Sequence, residues 1–145
     1  MRNNLLGFGY NSIAGNNFVF LAREFFKHFN RVVKNGEILG KPRDEAHAKE
    51  MLKKLSGSEH EVVTGYAVLT SGKKIISHDI TKVIFNELNE DFITDYVNGG
   101  SPMDKAGAYG IQDGGLAKSI VGEYDNVVGL PTKKILKAIT EIYET

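Results

Sequence analysis

Apolar residues recur at the spacing of one α-helix face in several segments of the chain. The first segment, residues 18–29, predicts a helix whose apolar face meets either the core or a second copy of the chain. Asp44 suits the positively polarised first turn of the next helix, Asn89 is placed to cap the one after it, and Pro131 is placed to open the last. The predicted apolar stripes are Phe18, Leu21, Ala22, Phe25, Phe26 and Phe29; Ala48, Met51, Leu52 and Leu55; Phe92, Ile93, Tyr96 and Val97; and Ile135, Leu136, Ile139, Ile142 and Tyr143.

Stretches rich in β-branched and aromatic residues lie between these helices and predict strands. Val32-Val33 and Ile38-Leu39 flank Lys34-Asn35-Gly36, a sequence typical of a tight hairpin turn. Because strands and helices alternate along the chain, the fold class is α/β, or α+β with a mixed sheet. The remaining predicted strands are residues 62–69, broken at Thr64-Gly65; residues 75–85, as one long strand or two paired ones; and residues 116–121.

The composition is that of a globular chain with a single domain. It has 145 residues, of which 41% are hydrophobic and 25% are charged. Lysine and arginine together number 18, as do aspartate and glutamate, and the resulting zero net charge argues against a dedicated nucleic-acid binder. Without cysteine the chain cannot form a disulfide, an iron–sulfur site or a catalytic thiol, and it fits the cytoplasm. No apolar run reaches the ~18 residues of a membrane span, and Met1-Arg2-Asn3-Asn4 does not begin a signal peptide, so no membrane contact is expected.

Two loops have the residue types of a binding site. In Gly40-Lys41-Pro42, the glycine allows close approach of a ligand and the lysine precedes a helix N-terminus, so this lysine is either an anion-binding residue or a solvated one. The second loop, residues 101–112, is long, glycine-rich and aperiodic, as functional loops often are. Asp104 and Lys105 offer both charges there, and Gln112 has a two-way amide suited to a base edge.

The other candidate patterns are weaker. Gly7-Phe8-Gly9 lacks the third glycine and the preceding strand of a dinucleotide-binding fingerprint. No arrangement of Ser, His and Asp has a hydrolase motif around it. The histidines lack the spacing of metal ligands and are expected at the surface or in helix caps: His28, His47, His60 and His78.

A series of short motifs carries a resemblance to a known family. The motifs are Gly36-Glu37-Ile38-Leu39-Gly40-Lys41-Pro42; Met51-Leu52 with Leu55-Ser56-Gly57; His60-Glu61-Val62-Val63-Thr64-Gly65; Asp104-Lys105-Ala106-Gly107-Ala108-Tyr109-Gly110-Ile111-Gln112; and Asn126-Val127-Val128-Gly129-Leu130-Pro131. In content and spacing they closely resemble the Maf family of nucleoside triphosphate pyrophosphatases, over about two-thirds of the chain. The stretch from Lys105 to Gln112 looks like the branch of the family that acts on thymidine and uridine triphosphates.

The resemblance implies an α/β fold of the Maf and inosine triphosphatase type, with a mixed sheet, flanking helices and a central cleft. It implies hydrolysis of dTTP, UTP or related non-standard nucleotides to the monophosphate and pyrophosphate, with a divalent metal cation, Mg²⁺ or Mn²⁺. By resemblance Lys41 contacts phosphate and Gln112 contributes to base choice, while Asp104 and Lys105 line the same cleft as substrate-binding residues. Family members are often dimeric, which allows a homodimer here.

The first 30 residues depart from the family pattern. Family members carry a Ser-x-Ser-Pro-Arg-Arg loop that grips the triphosphate and an Ala-Asp-Thr whose Asp acts as general base or metal ligand, and this sequence has neither. Counting back from Gly40-Lys41-Pro42, that Asp should fall near Phe29 or Asn30. We therefore expect residues 1–30 to be an unmatched segment of loop plus amphipathic helix, and residues 31–145 to be an N-terminally truncated Maf-like domain, within a single-domain chain.

This departure predicts impaired catalysis. Attack on a phosphorus atom that bears several negative charges needs charge neutralisation and a positioned water molecule. The general-base Asp of the family is not present, so the catalytic residue is unknown. Asp104 is the candidate for taking over metal binding. The alternative hypothesis is a catalytically degenerate Maf homologue that acts as a nucleotide-binding or subunit-partner protein.

Overall fold

A computed structural model gives the structure of the chain, and it describes residues 31–70 and 72–144. The loop and the amphipathic helix predicted within residues 1–30 lie outside the described residues. In chain order the strands and longer helices are β1 (Arg31–Lys34), β2 (Glu37–Leu39), α1 (Glu45–Leu55), β3 (Glu59–Leu69), β4 (Lys74–Phe85), α2 (Glu90–Asn98), β5 (Ala117–Val121), α3 (Tyr124–Val128) and α4 (Thr132–Glu144).

The strands form one five-stranded sheet in the order β2-β1-β3-β4-β5. β1 and β2 make the predicted hairpin, in which Asn35 and Gly36 have positive φ values of 49° and 78°. A tight turn of this kind matches the twist of the strands, and Asn-Gly adopts it readily. Every strand pair in the described part of the chain is antiparallel, whereas the mixed sheet we expected needs a parallel pair. The α/β class is confirmed, since helices pack on the sheet face that carries Val62 and Val83.

The hairpin of β3 and β4 forms the centre of the sheet, and it pairs along its whole length. The predicted break at Thr64-Gly65 is therefore wrong, and residues 75–85 belong to one long strand rather than two. Gly65 lies opposite His78 inside the ladder. Backbone pairing with β4 outweighs the weak strand preference of glycine, which depends on packing context more than on the residue itself.

The first two described helices both begin at a side-chain cap, of which only the one at Asn89 was predicted. Asp44, expected in the first turn of α1, is its N-cap, and its Oδ1 accepts a hydrogen bond from the His47 N–H at 2.7 Å. Asn89 caps α2 in the same way, accepting from the Phe92 N–H at 2.8 Å. Each cap satisfies an N–H group that the first turn of a helix leaves unpaired. Within residues 31–70 and 72–144, no helix has the length and apolarity needed to cross a membrane.

Among the described residues, the core is divided into two hydrophobic clusters along this sheet face. The larger cluster lies under α1 and α2, and the smaller one forms where α4 crosses Tyr66 and Val68. The buried face of α4 is narrower than predicted, because Leu136 and Tyr143 are 63% and 46% exposed. α4 packs against only one end of the central hairpin, so only one row of its side chains is buried against the sheet. The buried side chains of α4 are Ile135, Ala138 and Ile142.

Candidate functional site

The Gly40-Lys41-Pro42 loop connects β2 to α1 and is bonded to a distant part of the chain. The carbonyl oxygen of its glycine accepts a hydrogen bond from the Gly107 N–H at 3.0 Å. The proline is buried and the lysine is exposed. This arrangement places an exposed lysine beside the glycine-rich segment that follows α2.

The glycine-rich segment lies directly on β1. Gly107 has a φ of 70°, and a Cβ at that position would come within 2.9 Å of Cγ2 of Val32. The next residue, Ala108, also has a positive φ, 62°, and is fully buried. A residue without a side chain is needed for this close approach, because any larger one would push the segment away from β1. The segment folds as short 3₁₀ turns at Ser101–Asp104, Ala106–Ala108 and Ile111–Asp113.

A cleft of about 360 Å³ opens between the two loops, with residues of β1, β3 and α3 in its walls. The substrate-binding residues predicted from the sequence all line it: Lys41, Asp104, Lys105 and Gln112. Residues far apart in the chain are thereby brought to one place. Their grouping fits the predicted site, and their individual roles stay predictions.

Positive charge exceeds negative charge among the described residues that line the cleft. Lys41, Lys105 and Arg31 are basic, and Asp104 is acidic. Lys105 Nζ lies 3.3 Å from Oδ1 of Asp104, in an ion pair whose aspartate is 81% exposed and whose attraction water therefore weakens. A cleft with this balance favours a polyanion such as a phosphate chain.

Arg31 is a cleft residue that sequence reasoning missed. It begins β1 and lies opposite Val63 of β3, and it lines the cleft with the predicted lysines. No motif surrounds it in the sequence, where it reads as the first residue of an ordinary strand. Its place in the site follows from the packing of the glycine-rich segment against β1, which the sequence pattern does not encode.

His60 is buried in the core, so the expectation of a surface or capping role is wrong. It is 2% exposed, and its Nε2 lies 2.7 Å from the Tyr109 hydroxyl. Burial, together with the positive charge of Lys34, lowers the pKa of His60 to about 4. Burial also raises the pKa of the Tyr109 hydroxyl well above its ordinary value. Both groups are therefore neutral near pH 7, and they act as a structural pair whose tyrosine also lines the cleft.

The other histidines give mixed outcomes. His47 Nδ1 accepts a hydrogen bond from the N–H of Arg43, the residue before the N-cap of α1, at 3.1 Å, so this histidine is capped as expected. His78 is exposed, as expected. His28 lies outside the described residues. Over the part of the chain that the structure describes, no group of three or more His, Cys, Asp or Glu residues could hold a metal ion.

Asn126 fixes the short helix α3 against the sheet. Its side chain is fully buried, and Nδ2 donates at 3.1 Å to both the Val62 carbonyl and Oγ1 of Thr81. The next two residues, Val127 and Val128, line the cleft. Sequence reasoning saw Asn126 only as part of a family motif, because a single asparagine has no periodicity or charge that would indicate burial.

Residues 28–142 match the Maf family, which is described as Maf-like protein. This match covers well over half of the chain, and the chain belongs to the Maf-like protein family. The resemblance inferred from the ordered motifs is thereby confirmed.

Several curated relatives named dTTP/UTP pyrophosphatase are similar to this chain. The one from Pyrococcus furiosus is 52% identical over 110 residues, which cover 74% of this chain and 58% of the relative. The one from Citrifermentans bemidjiense is 48% identical over 115 residues, covering 77% and 60%. The one from Aquifex aeolicus is 48% identical over 108 residues, covering 73% and 57%. The chain thus spans 57–60% of the length of these relatives.

Proposed function

We propose that this chain is a nucleoside triphosphate pyrophosphatase that hydrolyses dTTP, UTP or related nucleotides to the monophosphate and pyrophosphate. The observation that carries the proposal is the cleft that joins Lys41 and Lys105 with Gln112. A nucleoside triphosphate needs positive charge at one end and a hydrogen-bonding group for its base at the other. Membership of the Maf-like protein family and the names of the relatives support this substrate class.

In this proposal the two lysines bind the polyphosphate chain and Gln112 reads the base. Ammonium groups beside the phosphates neutralise the charge that develops as pyrophosphate leaves. The side-chain amide of Gln112 has both an acceptor oxygen and a donor nitrogen, which suits the alternating acceptors and donor on the edge of uracil and thymine. Gln112 is exposed at the rim of the cleft, where a base edge can reach it.

A divalent cation, Mg²⁺ or Mn²⁺, is part of the proposal. Mg²⁺ in nucleotide sites is usually held by one or two carboxylates together with water and the phosphates of the substrate. Among the described residues that line the cleft, Asp104 has the carboxylate for this role, and its exposure leaves it accessible. The cation would supply additional neutralisation of the phosphate charge when bound. Asp104 would hold it, beside the polyphosphate chain that the two lysines bind.

We expect turnover to be slow, and a second function is kept for that reason. The sequence contains neither Ala-Asp-Thr nor Ser-x-Ser-Pro-Arg-Arg, and a metal ligand and a base for water are both needed for efficient hydrolysis. The alternative is a catalytically degenerate homologue that binds nucleotide or serves as a subunit partner. A homodimer and a cytoplasmic location, where nucleoside triphosphates are made and used, complete the proposal.

Two measurements on the purified chain test the proposal. Pyrophosphate release from UTP and dTTP with Mg²⁺ or Mn²⁺ reports catalysis, which we expect well below about 10 turnovers per second. Calorimetric titration with the same nucleotides reports binding. Release above background supports the enzyme, and binding without release supports the degenerate homologue. Absence of both binding and release would overturn the enzyme and the nucleotide-binding homologue, and would leave only the subunit-partner role.

A matched pair of variants assigns the binding to the cleft. Lys41→Ala should weaken UTP binding by about tenfold or more, because a charge-assisted contact to phosphate is lost. Lys118→Ala removes an exposed lysine on β5 that does not line the cleft, and it should bind UTP as the wild type does. Equal affinities in the two variants would show that UTP binds elsewhere.

A further inference from the structure

The turn that carries Gln112 is bridged by one hydroxyl group from α2. The Tyr96 hydroxyl donates a hydrogen bond to Oδ2 of Asp113 at 2.6 Å and accepts one from the Gly110 N–H at 2.9 Å. These two partners flank Gln112 along the chain. One hydroxyl group therefore closes a bridge across the 3₁₀ turn at Ile111–Asp113.

The bridged turn is compact and has little room to rearrange. The Asp113 N–H donates to the carbonyl of Gly110 at 3.1 Å. A Cβ added at Gly110 would come within 3.0 Å of both Oδ2 of Asp113 and Cε of Lys105. The carboxylate that Tyr96 contacts thus packs close to the backbone of the turn and to one of the cleft lysines.

Tyr96 reaches the turn from a rigid element. Its ring stacks on Phe92 with the centroids 6.2 Å apart and the planes 7° from parallel. Both rings are on α2, which is held in the core by Ile93 and Val97. Ile111 anchors one end of the turn in the larger core cluster, whereas Gln112 and its neighbour Asp113 are exposed. The hydroxyl bridge connects the exposed end of the turn to α2.

We propose that Tyr96 is a positioning residue for base choice, which holds the Gln112 turn in the shape that meets the edge of a pyrimidine base. The inference rests on the proposed function, since it requires Gln112 to contact the base. Tyr96 is not among the residues that line the cleft, so it acts through the turn. Without the bridge, a bound pyrimidine would have to order the exposed end of the turn, at Gln112 and Asp113, and its affinity would fall. A base that makes no contact with the Gln112 amide would lose less affinity. The preference for pyrimidine over purine nucleotides would therefore decrease.

The test compares the dissociation constants of UTP and GTP, measured by calorimetry, as a ratio of GTP to UTP. Tyr96→Phe deletes the hydroxyl and keeps the stacked ring, and it should lower this ratio about 3- to 10-fold. Asp113→Asn keeps an acceptor for the hydroxyl and should retain most of the preference. Tyr143→Phe removes a hydroxyl from an exposed tyrosine on α4 and should leave the ratio unchanged.

A double variant separates positioning from general loosening of the fold. If Tyr96 acts through Gln112, adding Tyr96→Phe to Gln112→Ala leaves the ratio where Gln112→Ala alone puts it. A wild-type ratio in Tyr96→Phe, or losses that add in the double variant, would overturn the inference and leave the proposed function standing. A wild-type ratio in Gln112→Ala, or a wild-type chain that does not prefer UTP, would instead refute the role of Gln112, and the inference with it.

Discussion

His60 Nε2 and the Tyr109 hydroxyl lie 2.7 Å apart in a hydrogen bond that is buried in the core. Their rings meet each other and that of Phe85 edge to face, with centroid distances of 5.4 Å between His60 and Tyr109, 4.9 Å between His60 and Phe85, and 4.8 Å between Phe85 and Tyr109. This cluster joins the central hairpin to the segment that carries Lys105 and Gln112. The geometry of the cleft therefore depends on a contact inside the core.

Removing the Tyr109 hydroxyl should destabilise the fold. Tyr109→Phe keeps the ring but leaves His60 Nε2 without its partner in a buried site, which costs about 1–3 kcal/mol of the free energy of unfolding. Tyr124→Phe, at a tyrosine that is 45% exposed, should cost almost nothing. Urea denaturation of both variants measures the difference. Equal midpoints would mean that the buried hydrogen bond does not contribute to stability.

Stability should decrease in mild acid through His60. Its pKa is about 4 in the folded chain and 6.5 in the unfolded reference, so between these values the unfolded chain binds a proton that the folded chain does not. The contribution of His60 is complete above pH 6.5 and is lost as the pH falls towards about 4. Between pH 7 and pH 4.5 this amounts to about 2–3 kcal/mol of the free energy of unfolding.

Denaturation of His60→Gln at both pH values checks this expectation. The decrease in the free energy of unfolding between pH 7 and pH 4.5 should be smaller than in the wild type, since glutamine does not titrate. His78→Gln replaces an exposed histidine and should show the wild-type decrease. A decrease in His60→Gln as large as that of the wild type would assign the acid sensitivity to the carboxylates instead.

Adding one methyl group at Gly107 should loosen the contact between the glycine-rich segment and β1. In Gly107→Ala the new Cβ would lie 2.9 Å from Cγ2 of Val32, at a φ of 70° that L-residues avoid. Strain of this kind costs about 1–3 kcal/mol. Gly72→Ala adds a Cβ with nothing within 4 Å and serves as the control. Thermal melting measures both, and an unchanged midpoint for Gly107→Ala would show that the segment can shift without cost.

Asn126 should not tolerate a negative charge. In Asn126→Asp a buried carboxylate would replace the Nδ2 group that donates to the Val62 carbonyl and to Thr81. An unpaired buried charge costs about 3–5 kcal/mol, so we expect a large loss of stability at pH 7. Asn98→Asp, at an exposed position in the last turn of α2, should cost only about 0.3–1 kcal/mol through the helix dipole. Near-equal unfolding free energies of the two variants would contradict the buried role of Asn126.

Local features of this protein were readable from the sequence where neighbouring residues alone determine them. The Asn35-Gly36 turn depends on which residues accept a positive φ, and the predicted cap at Asn89 depends on a side chain that reaches an N–H three residues on. The buried stripe of α1 follows from the helical period. The residues of the cleft loops could be predicted only from the family motifs, because a motif identifies individual residues and a hydrophobic pattern does not.

Tertiary structure alone decided which distant residues are in contact. The predictions made from the hydrophobic pattern failed where such contacts matter. Thr64-Gly65 reads as a break, yet pairing with β4 carries the strand through it, because ladder hydrogen bonds come from the partner strand. The cleft position of Arg31 likewise depends on contacts across the sheet.

The sequence by itself determined the start of α2, the hairpin turn and the α/β class, whereas the short helix α3 was not predicted. The burial of His60 against Tyr109 and the bridge from Tyr96 to Gly110 and Asp113 were decided only by the tertiary structure. The reason is that burial and hydrogen bonding depend on which residues lie nearby in space, and these can be far apart in the sequence. A histidine or a tyrosine has the same local signature whether those neighbours are water or the core.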